Sequence, residues 1–570
     1  MGLVYKQLSK QIVKDKIFLS LLFLLTILTS LSFFFVMFSI DGNMAVLNTL
    51  DGLTENQQLY KNALNSNTTL AYTFFISLMG LSAFVFVMFF YRFFRANKKQ
   101  IGCIKALGFK DSILQIYFIA FTAILSFGGA IFGMIGGYFL SDVLINANSQ
   151  TYAVTDLTKN VGIISILIGV VVSTAIFSIV AFLCYGFVRN KEAGFLLAGN
   201  NEQIRFSAAL LWANKISKIA PAENRLSLRI ALRKPISILL IFVAVTSFSV
   251  CIILGQSLNI SSEKVFSAQT IGHNYEYDTH YSEYQVTDIN ENTMTYLESP
   301  ATFSIGNYKL ERTVTGLYHS NKLYELKNRN NELLATPEAG TIYINPELSE
   351  IYGVEIGDTM PIVIKGSQHT FIVKDMAVNA KSKSIYINGR QLTDILDIPA
   401  GAYNGMLSSK EIPGVDVITK TQRIDYLRRN AVSNNTSAVI NQTTGILIGA
   451  VLIFLALFIN FQDNTHDIVI LNMIGHRIKY IRKILIDVYL PILWTAFIVT
   501  LVPSIFIAKT IQRSLSISTN DYMPFGTNII VFLVDFCLIS LIYWGVQITF
   551  NSGIKRVITK REITDIIYVD

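Results

Sequence analysis

Eight apolar stretches set the terms for this chain: 17–39, 70–91, 113–142, 161–188, 236–258, 444–461, 484–508 and 527–549. A bilayer core is roughly 30 Å thick and takes about 20 helical residues to cross. In lipid every backbone N–H and C=O must find its partner within the segment, so each stretch is expected as a helix. The sixth is the shortest and is expected to begin earlier, as a polar helix. The first is too long for the apolar part of a signal peptide and has no small-residue cleavage site after it, so it is read as a retained helix. Composition agrees. The chain is 52% hydrophobic and 15% charged, with mean hydropathy +0.46, against roughly 25% charged in a soluble domain.

Lys and Arg orient the helices. They cluster in the N-terminus (Lys6, Lys10, Lys14, Lys16), after segment two (Arg92 to Lys110), across 189–235, after segment six (Arg477 to Lys483) and in the C-terminus (Lys555 to Arg561). Alternating helices put all five clusters on one side. The opposite loops are poor in positive charge, with Lys61 alone in 40–69 and Lys159 alone in 143–160. Both termini are therefore expected in the cytoplasm. The exception in size is 259–443. Between Asn259 and Asn441 stand 16 Lys and Arg against 21 Asp and Glu, a charge of −5, which leaves +13 for the rest of a chain whose total is +8. The basic balance thus belongs to loops that face anionic lipid, not to a nucleic-acid surface.

The insert is long enough to be a domain. Strand-like runs at 341–345, 360–365, 370–374 and 384–388 are separated by turn signals such as Gly357-Asp358 and Lys365-Gly366. Helical stretches at 259–268 and 420–443 would carry membrane helices five and six outward as a stalk. The insert has no cysteine. Cys103, Cys184, Cys251 and Cys537 show no ligand spacing and read as small apolar fillers.

The chain is built twice. Gln100-Ile-Gly-Cys-Ile-Lys-Ala-Leu-Gly-Phe109 follows segment two, and Asp467-Ile-Val-Ile-Leu-Asn-Met-Ile-Gly-His476 follows segment six. Aligning Gly108 with Gly475 sets an offset of 367. The same offset carries Gly129, Gly133 and Gly137 of segment three onto Ala496, Thr500 and Ser504 of segment seven, all small, as close helix packing in lipid requires. Each unit also opens with a basic amphipathic stretch, 5–16 and 225–234, suited to the headgroup layer. The expected domains are an N-terminal amphipathic helix (1–16), a first membrane unit (17–188), a linker (189–235), helix five (236–258), the insert (259–443), helices six to eight (444–549) and a tail (550–570).

Lys98-Lys-Gln-Ile-Gly-Cys-Ile-Lys-Ala-Leu-Gly-Phe109 resembles the stretch between helices two and three in FtsX/MacB-type permeases of ABC transporters, with Gln100 in place of the usual Glu. Leu348-Ser-Glu-Ile-Tyr-Gly-Val-Glu-Ile-Gly-Asp-Thr359 is similar to a turn in that family's extracellular domain. The layout of one helix, an outside domain and three helices also matches. The expected fold is therefore membrane α-helical: eight transmembrane helices in two four-helix FtsX-like units, with one α+β extracellular domain between helices five and six. The second unit departs more, lacking the basic cluster and the Ala-Leu pair.

The resemblance implies a homodimer of separate ABC ATPase subunits, which would bind the ATP and Mg, this chain holding no cofactor and no metal. Lys98, Lys99, Ile101, Gly102, Ile104, Lys105, Leu107, Gly108 and Phe109, with Ile468, Leu471, Ile474 and Gly475, would dock on it. Ile101, Ile104 and Leu107 form an apolar stripe that a partner could cover. The absence of any Gly-Lys pair excludes a phosphate-binding loop, and no HExxH or GxSxG occurs, so no catalytic residue is assigned. The expected function is export or removal of an amphipathic peptide, lipid or lipopeptide by mechanotransmission, antimicrobial peptide resistance being the preferred version. Activation of a cell-wall hydrolase, or signalling to a two-component kinase, is the other reading. A Gram-positive plasma membrane is the expected setting.

Two further features stand apart. Asp535 falls within segment eight, and an intramembrane carboxyl is either a hydrogen-bonded neutral group or a proton-relay or ammonium site. Tyr275, Tyr277, Tyr281 and Tyr284 alternate with acids and form either a surface for a cationic peptide or a half-buried strand.

Overall fold

The computed structural model describes residues 8–9, 12, 16–50, 52–197, 225–232, 235–286, 293–306, 308–411 and 417–560. Most of the N-terminal amphipathic stretch, the linker 198–224 and the tail 561–570 lie outside these residues.

All eight apolar stretches are helices long enough to span a bilayer. The first unit comprises α1 (Lys16–Thr49), α2 (Glu55–Ala96), the short α3 (Lys98–Ala106), α4 (Asp111–Tyr152) and α5 (Ile163–Arg189), followed by α6 (Ala193–Leu197). The second comprises α7 (Arg225–Leu232) and α8 (Pro235–Ala268), then, beyond the insert, α11 (Lys420–Asp463), α12 (Thr465–Met473), α13 (Ile478–Leu485), α14 (Tyr489–Thr519) and α15 (Ile529–Lys560).

The repeat shows in the backbone. The opening helices α1 and α8 each have 34 residues. Both second helices start on a Thr–Gln capping box, Thr54 with Gln57 and Thr419 with Gln422, which satisfies two orphan N–H groups at each start. Asn97 and Asn464 bend the chain between the second helix and the short one at φ −106°, ψ 21° and φ −97°, ψ 6°. Ala153 and Asn520 end the third helices in the same left-handed conformation, φ 50° with ψ 39° and 35°. The capping threonines differ by 365 rather than 367, so α11 holds two more residues than α2, 44 against 42.

The insert folds as a nine-stranded mixed sheet in the order β3-β7-β4-β6-β5-β2-β8-β1-β9, with a further β2–β3 pairing that closes six of the strands on themselves. The strands are β1 (Tyr277–Gln285), β2 (Thr293–Ile305), β3 (Tyr308–Leu317), β4 (Thr341–Ile344), β5 (Thr359–Ile364), β6 (Ser367–Met376), β7 (Ser384–Asn388), β8 (Tyr403–Ser408) and β9 (Val417–Thr419), with helices α9 (Pro346–Glu350) and α10 (Gly389–Leu396). All four expected runs are strands. Lys365 and Gly366 both take positive φ, 49° and 83°, and make the two-residue hairpin that pairs Ile364 with Ser367. Leu297, Val314, Ile342, Ile362, Val373 and Ile385 fill the interior. One buried ion pair crosses it, Arg312 to Glu347 at 2.5 Å.

The stalk is helical on both sides, as expected. α8 runs on to Ala268, and α11 begins at Lys420, well before its apolar part. A polar knot joins stalk to sheet. The Arg423 guanidinium lies 4.0 Å over the Tyr275 ring and donates to the His273 carbonyl. Lys381 pairs with buried Asp278 at 2.8 Å and lies over the Tyr296 ring. Burial works to raise the Asp278 carboxyl, but Lys381 and the Tyr296 hydroxyl outweigh it and hold the group below its ordinary range.

Candidate functional site: the paired turns

If each helix crosses once, α3 and α12 lie at the end of the bundle opposite the sheet domain. Each is a two-turn helix bent off a long one, then stopped by a glycine with positive φ, Gly108 at 84° and Gly475 at 95°. This geometry leaves one apolar ridge outward on each. Leu107 is 75% exposed, beside Cys103 and Ala106. At the same offset Ile474 is 69% exposed, beside Ile470 and Met473. Exposed apolar side chains at matched positions on two polar-flanked tips are what a docking site requires.

The expected stripe is corrected by the fold. Ile101 and Ile104 are buried within the chain, as is Gly102, and so is Ile468. Leu471 is half-buried. At Gly102 the cover is α6, whose Leu196 and Leu197 pack on α3. A Cβ on Gly102 would come within 2.9 Å of the Leu196 Cβ. Lys105 also turns inward. Its ammonium bonds the carbonyls of Val188, Arg189 and Lys191 at 3.1, 3.0 and 2.9 Å and pairs with Asp111 at 3.0 Å. It therefore ties the short helix to the C-terminal carbonyls of α5, where a cation is favoured. Tyr185 donates to the same Asp111 at 2.7 Å. Lys98 stands 5.3 Å over the Phe195 ring, Phe109 is half-buried, and Lys99 is exposed.

The second turn is anchored differently. Asp487 accepts from Gln547 of α15 at 2.6 Å and pairs with Arg482 of α13 at 3.3 Å. Tyr543 donates to the Ile486 carbonyl where the chain breaks between α13 and α14. Arg92 of α2 donates to Gln462 of α11, linking the two units just above the turns.

Gly129, Gly133 and Gly137 face α1 closely. A Cβ on each would meet the Thr26 Cβ at 2.8 Å, the Ile27 carbonyl at 2.7 Å and the Phe34 Cβ at 2.8 Å. Ala496, Thr500 and Ser504 are buried on the matching face of α14. The tyrosine row does not form one surface. Tyr275 is buried, because it is the seat for Arg423. Tyr277 is half-buried, Tyr281 packs edge-on against Tyr403, and Tyr284 is exposed. Among the described residues no group of His, Cys, Asp and Glu could hold a metal ion.

A model of the FtsX-like permease C-terminal domain matches the chain twice, over 72–193 and 443–551. The chain carries two FtsX-like permease domains in tandem. Each match covers helices two to four of its unit, and each contains the short helix and its glycine stop. The opening helices α1 and α8 and the sheet domain lie outside the matched residues. As a tandem FtsX-like permease the chain is a multi-pass membrane component of an ABC-type system. No curated protein matches it. The Lys105 clamp escaped the sequence reading, although a lysine in the last turn of the short helix, six residues before the acidic first residue Asp111 of the next, was a usable signal.

Proposed function

We propose that the two tips are docking points for separate ATPase subunits, and that nucleotide-driven closure moves the sheet domain to export or remove an amphipathic peptide, lipid or lipopeptide. One observation carries this reading: Leu107 and Ile474 project at equivalent positions of the two units, on short helices that each bury another face within the chain. A homodimer needs two like surfaces, and the repeat supplies them. The route outward is short. α11 has 44 residues, so it is about 66 Å long at 1.5 Å per residue. One of its ends abuts α12, and the other puts Arg423 into the polar knot under the sheet. A tilt imposed at the second tip would therefore reach the domain through a single helix. The first tip would act on α5 through Lys105.

The test is purification of the full chain, tagged, in mild detergent from its native membrane, with the bound ATPase quantified. Leu107→Asp with Ile474→Asp should cut the retained ATPase roughly tenfold or more, because an interface carboxylate must be desolvated without a partner. Undiminished retention with both tips charged would overturn the docking assignment.

A further inference from the structure

Asp535 of α15 is fully buried, and neither carboxylate oxygen has a hydrogen-bond partner among the described residues. The Ser249 side chain of α8 faces it, and that hydroxyl too is buried without closing a full hydrogen bond. Thr500 and Ser504, on the α14 stripe, are buried with unpartnered hydroxyls as well. The repeat places them. Gly133, the counterpart of Thr500, lies against Ser30 in unit one, and Ser30 matches Ser249 when α1 is laid on the equally long α8. Asp535 and Ser249 thus face each other, and the repeat lays Thr500 and Ser504 along the same α8–α14 junction of unit two.

The fold does not demand the carboxyl. The corresponding stretch of unit one, Leu167–Val172, is wholly apolar and packs Gly169 against the Phe34 ring. Nor is Asp535 paired with a counter-charge among the described residues. No charged residue occurs in 235–262 of α8, 438–462 of α11 or 489–508 of α14. Cys251, the one other titratable side chain on that part of α8, packs on Gly445 of α11. Asp487, paired with Arg482, bonds Gln547 of α15 and lies near Tyr543, and even Tyr543 is 8 residues on from Asp535, about 12 Å along the helix. A bare carboxylate in such surroundings costs several kcal/mol or more. A metal or ammonium ion would need room that the enclosed group does not have, whereas a proton needs none.

We propose that Asp535, with Ser249, Thr500 and Ser504, is an intramembrane proton-binding site of the second unit. A carboxylate oxygen takes a proton from hydronium and releases water, with no change of oxidation state. Once neutral, the carboxyl can both donate to and accept from the hydroxyls around it. The way in runs along α14 toward the sheet domain. Ser504 is followed on the same buried face by Gln512 and Ser516, whose side chains bond the carbonyl of Met523 in the loop before α15. The Gln512 Oε1 is itself buried and unpartnered among the described residues. Opening of this face during the transport cycle would expose the carboxyl to that side and let the proton leave.

Infrared spectroscopy of the full chain in lipid nanodiscs near neutral pH tests the site. The wild type should show the carbonyl stretch of a protonated carboxylic acid, sensitive to deuterium oxide and lost in Asp535→Asn. Absence of that band from the wild type sinks the proposal, whatever the variant does. An identical band in a folded Asp535→Asn chain does the same. Ser249→Ala keeps the carboxyl and should shift the band without removing it, and an unshifted band excludes Ser249 from the site. Gln512→Leu should slow the deuterium shift severalfold, and an unchanged rate excludes the route along α14.

Discussion

Gly108 and Gly475, 367 residues apart, hold the same left-handed backbone at the ends of two short helices. Each donates its N–H three residues back, to Lys105 and Asn472, both at 3.0 Å, and the following residue bonds the carbonyl five back. The chain reverses within one residue there, and that reversal pushes Leu107 and Ile474 outward.

Space is open around both glycines, with nothing within 4 Å of an added Cβ. Gly108→Ala and Gly475→Ala should therefore fold and lose only the conformational term, about 1 kcal/mol each. Asn at either position should lose less. Thermal unfolding of the detergent-solubilised chain measures both, and a loss above several kcal/mol would mean the turns carry contacts not accounted for.

Lys105→Met removes one ion pair and three carbonyl bonds from a nearly buried ammonium, while keeping most of the apolar stem. The expected loss is about 2–3 kcal/mol. Lys99→Met, on the exposed side of the same helix, should cost less than about 0.5 kcal/mol. Equal melting temperatures for the two variants would refute the clamp.

Gly133→Leu should break the first unit, since even its Cβ would stand 2.7 Å from the Ile27 carbonyl and the Ser30 Cβ. About 3 kcal/mol or more is expected from overpacking. Thr500→Gly, the reverse change in unit two, should be milder, because α8 and α14 already leave room for a side chain there. Comparing the yield of folded chain from the two variants decides it.

Stability of the sheet-and-stalk joint should fall on acidification. Burial, helped by Arg423 and Lys381, pushes the His273 imidazole down to about 4 from 6.5, against the pull of the Asn379 carbonyl that accepts at 2.8 Å. The unfolded chain then binds a proton that the folded chain refuses. Stability is full above pH 6.5 and declines toward pH 4, by about 3 kcal/mol in all. Asp278, held low, adds its own loss only below the ordinary carboxylate range. Calorimetry of the full chain across this window should show the decline, flattened in His273→Gln. A flat wild-type profile would count against a buried neutral His273.

The membrane part was legible because lipid leaves a helix few alternatives: apolar length fixed all eight spans, and the Gly108–Gly475 alignment predicted small residues where α14 packs. Strands β4 to β7 were legible from their alternation and turns. What escaped was which face of each element was already taken. Ile101 and Ile104 have the spacing of a docking stripe, but the folded chain buries both, and α6, five residues of a linker with no strong signal, packs on Gly102 between them. Tyr275 alternates like a surface tyrosine, yet it is covered by Arg423, nearly 150 residues away. Both are long-range events that periodicity does not encode. In each case the exposed remainder, Leu107 on the tip and Tyr284 on the strand, could be told from its neighbours only once the chain was folded.

Cys103, an exposed thiol of the first tip, offers the most direct test that both turns dock on one kind of motor. A short thiol-directed crosslinker would be applied in native membranes to the wild type, and to Ile470→Cys in a Cys103→Ser background, which moves the thiol to the matched position of the second tip. The account predicts that the same ATPase is captured from both positions. Capture of no ATPase from either, with the chain folded and its thiol reactive, would contradict it.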